Sequence, residues 1–278
     1  MQQNFLQSVK ISRSAAERGS PSAADLVKKP IIMGILNITP DSFSDGGKYL
    51  QIEDAIKQTE KLISDGVDII DIGGESTKPG ADCVSEEEEL KRVIPVIYEL
   101  KKRFPEIFIS IDTYKSNVAQ LSINAGTKMI NDVSGLTMDP DMVRVAAKAN
   151  CPIVIMHNRG IPATKPTCRG GSVTRPADVL EEIYHWLQTQ SQHAIGNGIK
   201  KENIIIDPGI GFGKTAEENL YLIENLKEFK SLGFPILVGP SRKSFIRKLF
   251  GEKDVEKKSK EIVELAVKNG ADIVRMHR

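Results

Sequence analysis

Residues 203–215 read Asn-Ile-Ile-Ile-Asp-Pro-Gly-Ile-Gly-Phe-Gly-Lys-Thr. A short β-branched run ends at once in a carboxylate, Asp207. Pro208 then removes a backbone donor and Gly209 opens positive φ, so the strand stops there. From Ala216 to Lys230 the pattern turns helical. A strand, a polar tip and a glycine-rich turn into a helix is how α/β enzymes present ligand groups. Two phosphate-binding patterns fail on inspection. G-x-x-x-x-G-K-[ST] needs a glycine five places before Gly213, where Pro208 stands. The dinucleotide pattern that starts at Gly209 and Gly211 needs a third glycine where Lys214 stands. The turn is therefore expected to present a carboxylate and a lysine rather than to cradle phosphate.

Outward from this stretch, the same unit repeats. Apolar runs at 31–36, 67–72, 107–111, 128–130, 153–156, 204–206, 235–238 and 271–274 each end in a polar tip. Amphipathic stretches follow at 52–64, 85–103, 116–124, 141–149, 177–196, 216–230 and 258–269. Near-continuous apolar runs suit parallel strands covered on both faces. Eight of them alternating with helices predict a single (β/α)8 TIM barrel over 31–278, with 1–30 as an N-terminal arm or irregular segment. A doubly wound open sheet is the alternative, although five or six strands would be more usual for it. Arg278 comes straight after the eighth run, so the expected barrel lacks or truncates its last outer helix. Glu87 with Lys91 and Glu88 with Arg92 are i,i+4 pairs, which explains the charge run at 86–89 as a solvated helix face.

The 278 residues and 40% apolar content suffice for one large core of this kind. A net charge of +1 gives no electrostatic case for a nucleic-acid partner. No apolar run reaches membrane-spanning length, and residues 1–30 hold no secretory h-region. Glu17 interrupts the basic residues Lys10, Arg13 and Arg18, against a mitochondrial-type presequence. Cys83, Cys151 and Cys168 show no C-x-x-C spacing, so a reducing cytoplasm is the expected setting.

Ligands of such a barrel bind where the strands end. The first run is followed by Asn37, Thr39 and Asp41, the second by Glu75, Ser76 and Thr77 after its own Asp71. Asp112 closes the third, Asn131 and Asp132 the fourth, His157 the fifth and Asp207 the sixth. Ser241, Arg242 and Lys243 follow the seventh, and Arg275 and His277 the eighth. Each has a bland reading. Asp, Asn and Ser after a strand are common helix N-caps, Arg275 alone could be half of a structural ion pair, and His157 alone reads as packed. The segments 38–50 and 73–85, rich in Gly, Pro, Asp and Ser, favour function, since long loops in compact barrels are more often functional than not. No Ser-His-Asp order and no H-E-x-x-H helix is evident. Several carboxylate or amide acceptors can hold a flat ligand rich in N–H donors. Lys, Arg and His gathered at the opposite edge suit a phosphate or diphosphate. The pattern describes a heterocycle carrying an anionic leaving group, with electrostatic and positional catalysis.

Longer motifs sharpen this reading. Residues 34–47, Gly-Ile-Leu-Asn-Ile-Thr-Pro-Asp-Ser-Phe-Ser-Asp-Gly-Gly, resemble the opening signature of the dihydropteroate synthase family of pterin-binding enzymes. So do residues 71–80, Asp-Ile-Gly-Gly-Glu-Ser-Thr-Lys-Pro-Gly, with 110–115, 130–135, 207–214, 239–245 and 275–277. The resemblance covers 31–277. It implies a (β/α)8 barrel, usually a homodimer, that joins 4-aminobenzoate to a dihydropterin-methyl diphosphate in folate synthesis and uses Mg2+. It assigns Asp112, Asn131 and Asp207 to the pterin ring, Lys243 to its face or edge, and Met156 and Phe212 to its pocket. Arg275, Met276 and His277 are assigned to the substrate, with Arg275 and His277 on the diphosphate, and Asp112, Lys243, Arg275 and His277 are the implied catalytic set. Asn37 is implied on the diphosphate and the metal, and Phe43, Thr77, Pro79 and Ser241 in the aminobenzoate pocket. Two features depart from the family pattern: Lys78 stands where Arg is usual, and Lys257-Lys258-Ser259-Lys260 opens the helix where a small Gly-Thr segment is usual. A pterin-binding methyltransferase on the same barrel is the runner-up, and a degenerate pterin-binding subunit is the alternative that is not an enzyme.

Overall fold

The computed structural model describes residues 29–39, 47–76, 81–159 and 176–277. All but the last two residues of the expected arm lie outside them. Among the described residues there are eight strands: β1 (Ile31–Asn37), β2 (Ile69–Gly73), β3 (Phe108–Asp112), β4 (Met129–Asp132), β5 (Ile153–Met156), β6 (Ile204–Asp207), β7 (Leu237–Val238) and β8 (Ile273–Met276). Their order is β6-β5-β4-β3-β2-β1-β8-β7, parallel throughout. A parallel bridge between Ile206 and Ile236 joins the two ends, so the sheet closes into the expected barrel. The seventh strand is shorter than its apolar run. Pro235 has no N–H to give, although its carbonyl accepts from Ile206 at 3.0 Å, and Gly239-Pro240 ends the pairing.

Among the described residues the surrounding helices are α1 (Gly47–Ser64), α2 (Glu86–Arg103), α3 (Ser116–Ala125), α4 (Met142–Ala149), α5 (Pro176–Gly196), α6 (Ala216–Glu224), α7 (Ser244–Phe250) and α8 (Val255–Lys268). The expected surface pairs on α2 form, Lys91 to Glu87 at 2.6 Å and Arg92 to Glu88 at 2.9 Å. Three helices differ from the sequence reading, and the first of them, α1, begins at Gly47, inside the segment 38–50 read as a loop. The stretch expected over 216–230 is α-helical only to Glu224 and continues as a 3-10 helix, Leu226–Leu232. The Asn225 side chain donates to the Tyr221 carbonyl at 2.8 Å, and the local side-chain bond competes with the helical ladder. The short α7 was not anticipated. Only Phe245 and Ile246 of its seven residues are buried, too little periodicity to stand out.

Alternation along the strands divides the core in two. Ile70, Ile72, Ile109, Ile111, Ile130, Ile204 and Val274 face outward and pack with Ile56, Val93, Ile97, Val118, Leu187, Leu222 and Ile262 of the helices. Inside the barrel, Ile31, Met33, Ile69, Met129, Val154, Ile205, Leu237 and Ile273 form a separate apolar floor, with Phe108 against it. Two residues further along β2, β3, β4, β6 and β8, the inward positions turn polar. That step places the site at the carboxyl ends of the strands.

Candidate active site

The inward positions above the floor are Asp71 on β2, Ser110 and Asp112 on β3, Asn131 on β4, Asp207 on β6 and Arg275 on β8. Arg275 organises them. Its Nε donates to Asp71 Oδ2 at 2.6 Å and its Nη2 to Asp112 Oδ2 at 2.5 Å. Asn131 Nδ2 donates to the same Asp71 oxygen at 2.9 Å. Asp71 is fully buried and Asn131 is 2% exposed, so these are bonds in a poorly solvated interior. Burial pulls the Arg275 guanidinium down, but Asp71 and then Asp112 outweigh it, and its pKa is raised overall. Burial pushes the Asp112 carboxyl well above the carboxylate range against the pull of Arg275, with Asp71 adding to the rise. Burial likewise raises Asp207 to about 6, although the Gly209 N–H donates to its Oδ1 at 2.7 Å.

The opposite wall is apolar and cationic. Val133, Met156 and Phe212 form one small cluster with Tyr114 against it, which joins the two residues expected to line the pterin pocket. Lys243 Nζ sits 4.3 Å from the centre of the Phe212 ring, a cation–π contact. Burial lowers the Lys243 ammonium to about 8, with Arg275 contributing in the same direction. The turn after β6 gives this wall its shape. Gly209 has φ +70°, and a Cβ there would lie 1.8 Å from the His157 carbonyl oxygen. Gly211 has φ +87°, and a Cβ there would meet the Lys243 stem at 2.9 Å. Both positions need glycine because another chain segment occupies the space.

Lys214, singled out from the sequence, does not face a ligand. Its Nζ donates to the carbonyls of Gly209 at 2.8 Å, Phe212 at 3.3 Å and His157 at 3.4 Å, tying the turn to itself. Burial lowers its pKa to about 7. Thr215 and Glu218 then form a capping box that starts α6. Asp132 is also structural. It faces away from Asn131 and accepts the Ser134 and Leu136 N–H groups, both at 2.8 Å. His157 is buried edge-on against Trp186 at 5.1 Å, and burial holds it neutral with a pKa of about 2.

Other expected residues lie around the mouth. Asn37 ends β1 and is half-buried, as is His277 just beyond β8. Ser241 is buried beside Lys243 after β7. Met276 packs against the outer apolar layer, on the opposite face of β8 from Arg275. Phe43, Thr77, Lys78 and Pro79 lie outside the described residues. The sequence reading underrated Asp71, whose period-two position with Ile69 and Gly73 was the available signal. It also did not single out the brace at the root of the second loop. Lys115 there bridges Glu75 and Glu89, and the Tyr114 hydroxyl donates to Glu75 at 2.8 Å.

The mouth also offers a place for a hard cation. A Cβ on Gly73 would lie 3.6 Å from Asn37 Oδ1, so the bare glycine keeps the space beside this oxygen clear, whereas the nearby Asp112 Oδ2 is already held by Arg275. Among the described residues no three His, Cys, Asp or Glu gather as a metal cage. One or two protein oxygens completed by substrate phosphate is how Mg2+ is commonly held, and this donor set fits it.

A sequence model of the family described as pterin binding enzyme matches residues 33–277. The chain belongs to that family. Within the pterin-binding enzymes it is similar to the dihydropteroate synthases of Synechocystis, 46% identical over 91% of this chain and 86% of that protein, and of Bacillus subtilis, 45% identical over 92% and 86%. Two solved dihydropteroate synthases share its pterin-binding fold. One, from Clostridium difficile and determined in the presence of pteroic acid, has a TM-score of 0.81 at 43% identity, over 90% of this chain and 92% of that one. The other, from Xanthomonas albilineans with 4-aminobenzoic acid, has a TM-score of 0.80 at 39% identity, over 90% and 88%.

Proposed function

We infer that the chain is the dihydropteroate synthase its kinship indicates: a transferase of folate biosynthesis that joins (7,8-dihydropterin-6-yl)methyl diphosphate to 4-aminobenzoate. The single observation that carries the reading is its near full-length identity to enzymes of that name, at 45–47% for the relatives from Synechocystis, Clostridium beijerinckii and Bacillus subtilis.

In the mechanism we propose, Asp112, Asn131 and Asp207 accept and donate hydrogen bonds around the pterin edge. Lys243 lies against the ring and Met156 and Phe212 pack on it. Arg275 spends only Nε and Nη2 on its carboxylates, and its remaining N–H groups serve the diphosphate together with His277. The methylene C–O bond breaks and its electron pair leaves with diphosphate. The electron-rich ring carries the resulting positive charge, which the buried carboxylates stabilise. The neutral arylamine nitrogen then bonds the methylene carbon and releases a proton, so no strong base is needed. Asn37 would hold Mg2+, which when bound neutralises charge on the diphosphate oxygens. Ser241 contributes to the aminobenzoate pocket with Phe43, Thr77 and Pro79. A homodimer and a cytoplasmic setting complete the proposal; no helix among the described residues is long and apolar enough to cross a membrane.

A coupled assay for diphosphate release tests the reading. Release should require both substrates. Release with the pterin alone at an undiminished rate, or methyl transfer to a thiol in its place, would overturn it.

A further inference from the structure

Arg242 is one of few non-glycine residues with positive φ among the described residues, at +54°. It stands between Ser241, which is buried, and Lys243, which lies over Phe212. A left-handed residue at this point turns the chain: Lys243 on one side lies over Phe212, while the Arg242 side chain reaches the other way to Glu256 on α8. For a residue with a Cβ that conformation is disfavoured and persists only when its surroundings hold it.

The holding contacts come from α8. The Arg242 N–H donates to Ser259 Oγ at 3.2 Å, and Arg242 Nε pairs with Glu256 at 3.0 Å. Ser259 is 4% exposed although Lys258 and Lys260 flank it. It lies on the inward stripe of α8 with Ile262 and Ala266, where an apolar residue would otherwise be expected. A buried hydroxyl on an apolar stripe needs a partner, and the one it has is the backbone of the strained turn.

We propose that Ser259 is a positioning residue: its hydroxyl fixes the left-handed conformation of Arg242 and thereby aims Ser241 and Lys243 into the site. This rests on the roles given above to Ser241 and Lys243. The ion pair to Glu256 is exposed on both sides and contributes little by comparison.

Steady-state kinetics of S259A, R242G and the double variant test the proposal, with K243A as reference. Removing one oxygen leaves the packing of α8 intact, so S259A should fold with a nearly unchanged melting midpoint. It should raise KM for both substrates by about tenfold in all, the size of one ordinary hydrogen bond. Glycine takes positive φ without steric penalty, so in the R242G background the same change should lower kcat/KM by less than about threefold. An equal penalty in both backgrounds, or a shifted midpoint with unchanged KM values, would make Ser259 merely structural and overturn the proposal. If K243A leaves activity intact, the role given to Lys243 fails and this inference fails with it. Harmless S259A beside damaging K243A defeats only the inference.

Discussion

The floor and the mouth of the barrel are built from the same strands, two residues apart, and they are opposite in chemistry. Ile69, Met129, Ile205 and Ile273 fill the floor; Asp71, Asn131, Asp207 and Arg275 replace them one inward position higher. The floor gains from removing apolar surface from water and asks nothing of its neighbours but fit. The mouth removes charges from water, and burial there pushes Asp112 and Asp207 up and Lys243 down. The floor can therefore supply stability at any pH, whereas the mouth keeps its charged groups at an energetic disadvantage that a bound ligand can relieve.

The sharpest way to break this contrast is at the floor. Ile205→Ala should destabilise the fold by about 2–5 kcal/mol, the range for large-to-small core changes. Denaturant unfolding would register that loss, and the KM values of the surviving enzyme should stay near wild type. If KM rises with it, floor and mouth are one cooperative unit.

At the mouth the ordering should invert. Arg275→Ala should lower turnover by about 2.7–4 kcal/mol of activation free energy, as when one preorganised donor is removed from a site of developing charge. It also leaves Asp71 and Asp112 without their cation. A rate within a few-fold of wild type would remove Arg275 from the catalytic set.

Asp112→Asn is milder. It keeps the shape and loses a charged acceptor, so pterin-diphosphate affinity should fall by about 1.5–3 kcal/mol. Aminobenzoate affinity should fall less. Calorimetry with each ligand separates them, and equal losses would misplace Asp112.

The smallest effect is in pH. Asp112 and Asp207, both raised by burial, set the acid limb of the expected kcat/KM profile and Lys243 at about 8 the alkaline limb, with the rate rising as the carboxylates ionise and falling as the ammonium is lost. Lys243→Arg should remove the alkaline limb, because guanidinium stays charged. The stability signs follow from proton counts. Between its ordinary value and about 6 the folded Asp207 holds a proton that the unfolded chain has lost, so stability falls as pH rises there. Between about 8 and the ordinary lysine value it is the unfolded chain that holds the extra Lys243 proton, and stability rises with pH there. A flat profile in both measurements would mean that the mouth is as indifferent to pH as the floor.

Much of this division is legible in the residues. Apolar runs ending in Asp112, Asn131 and Asp207 mark strand, direction and rim at once. Met156 and Phe212 were placed in one pocket by family resemblance, and they do pack together. Single residues whose partners come from distant elements are less legible. Lys214 looks like a ligand group in a glycine-rich turn, yet its partners are carbonyls of that turn and of His157, which no local pattern reveals. Asp71 looks like one polar residue in a strand, and its importance comes from Arg275, which lies just beyond β1 in the barrel but far along the chain. The end of α6 at Asn225 turns on one side-chain bond, and propensity summed over a window does not resolve such a bond.

The seam between β6 and β7 has a consequence of its own. One bridge, Ile206 to Ile236, joins this seam, whereas β6 pairs with β5 over four residues and β7 with β8 over two. Asp207 stands on one side of it, and Ser241 and Lys243 follow on the other. A ligand held by both sides acts as a clasp across the weakest join in the wall. In hydrogen exchange the amides of residues 236–238 should be among the quickest of the strands to take up deuterium in the free protein, and among those slowed most once pterin is bound.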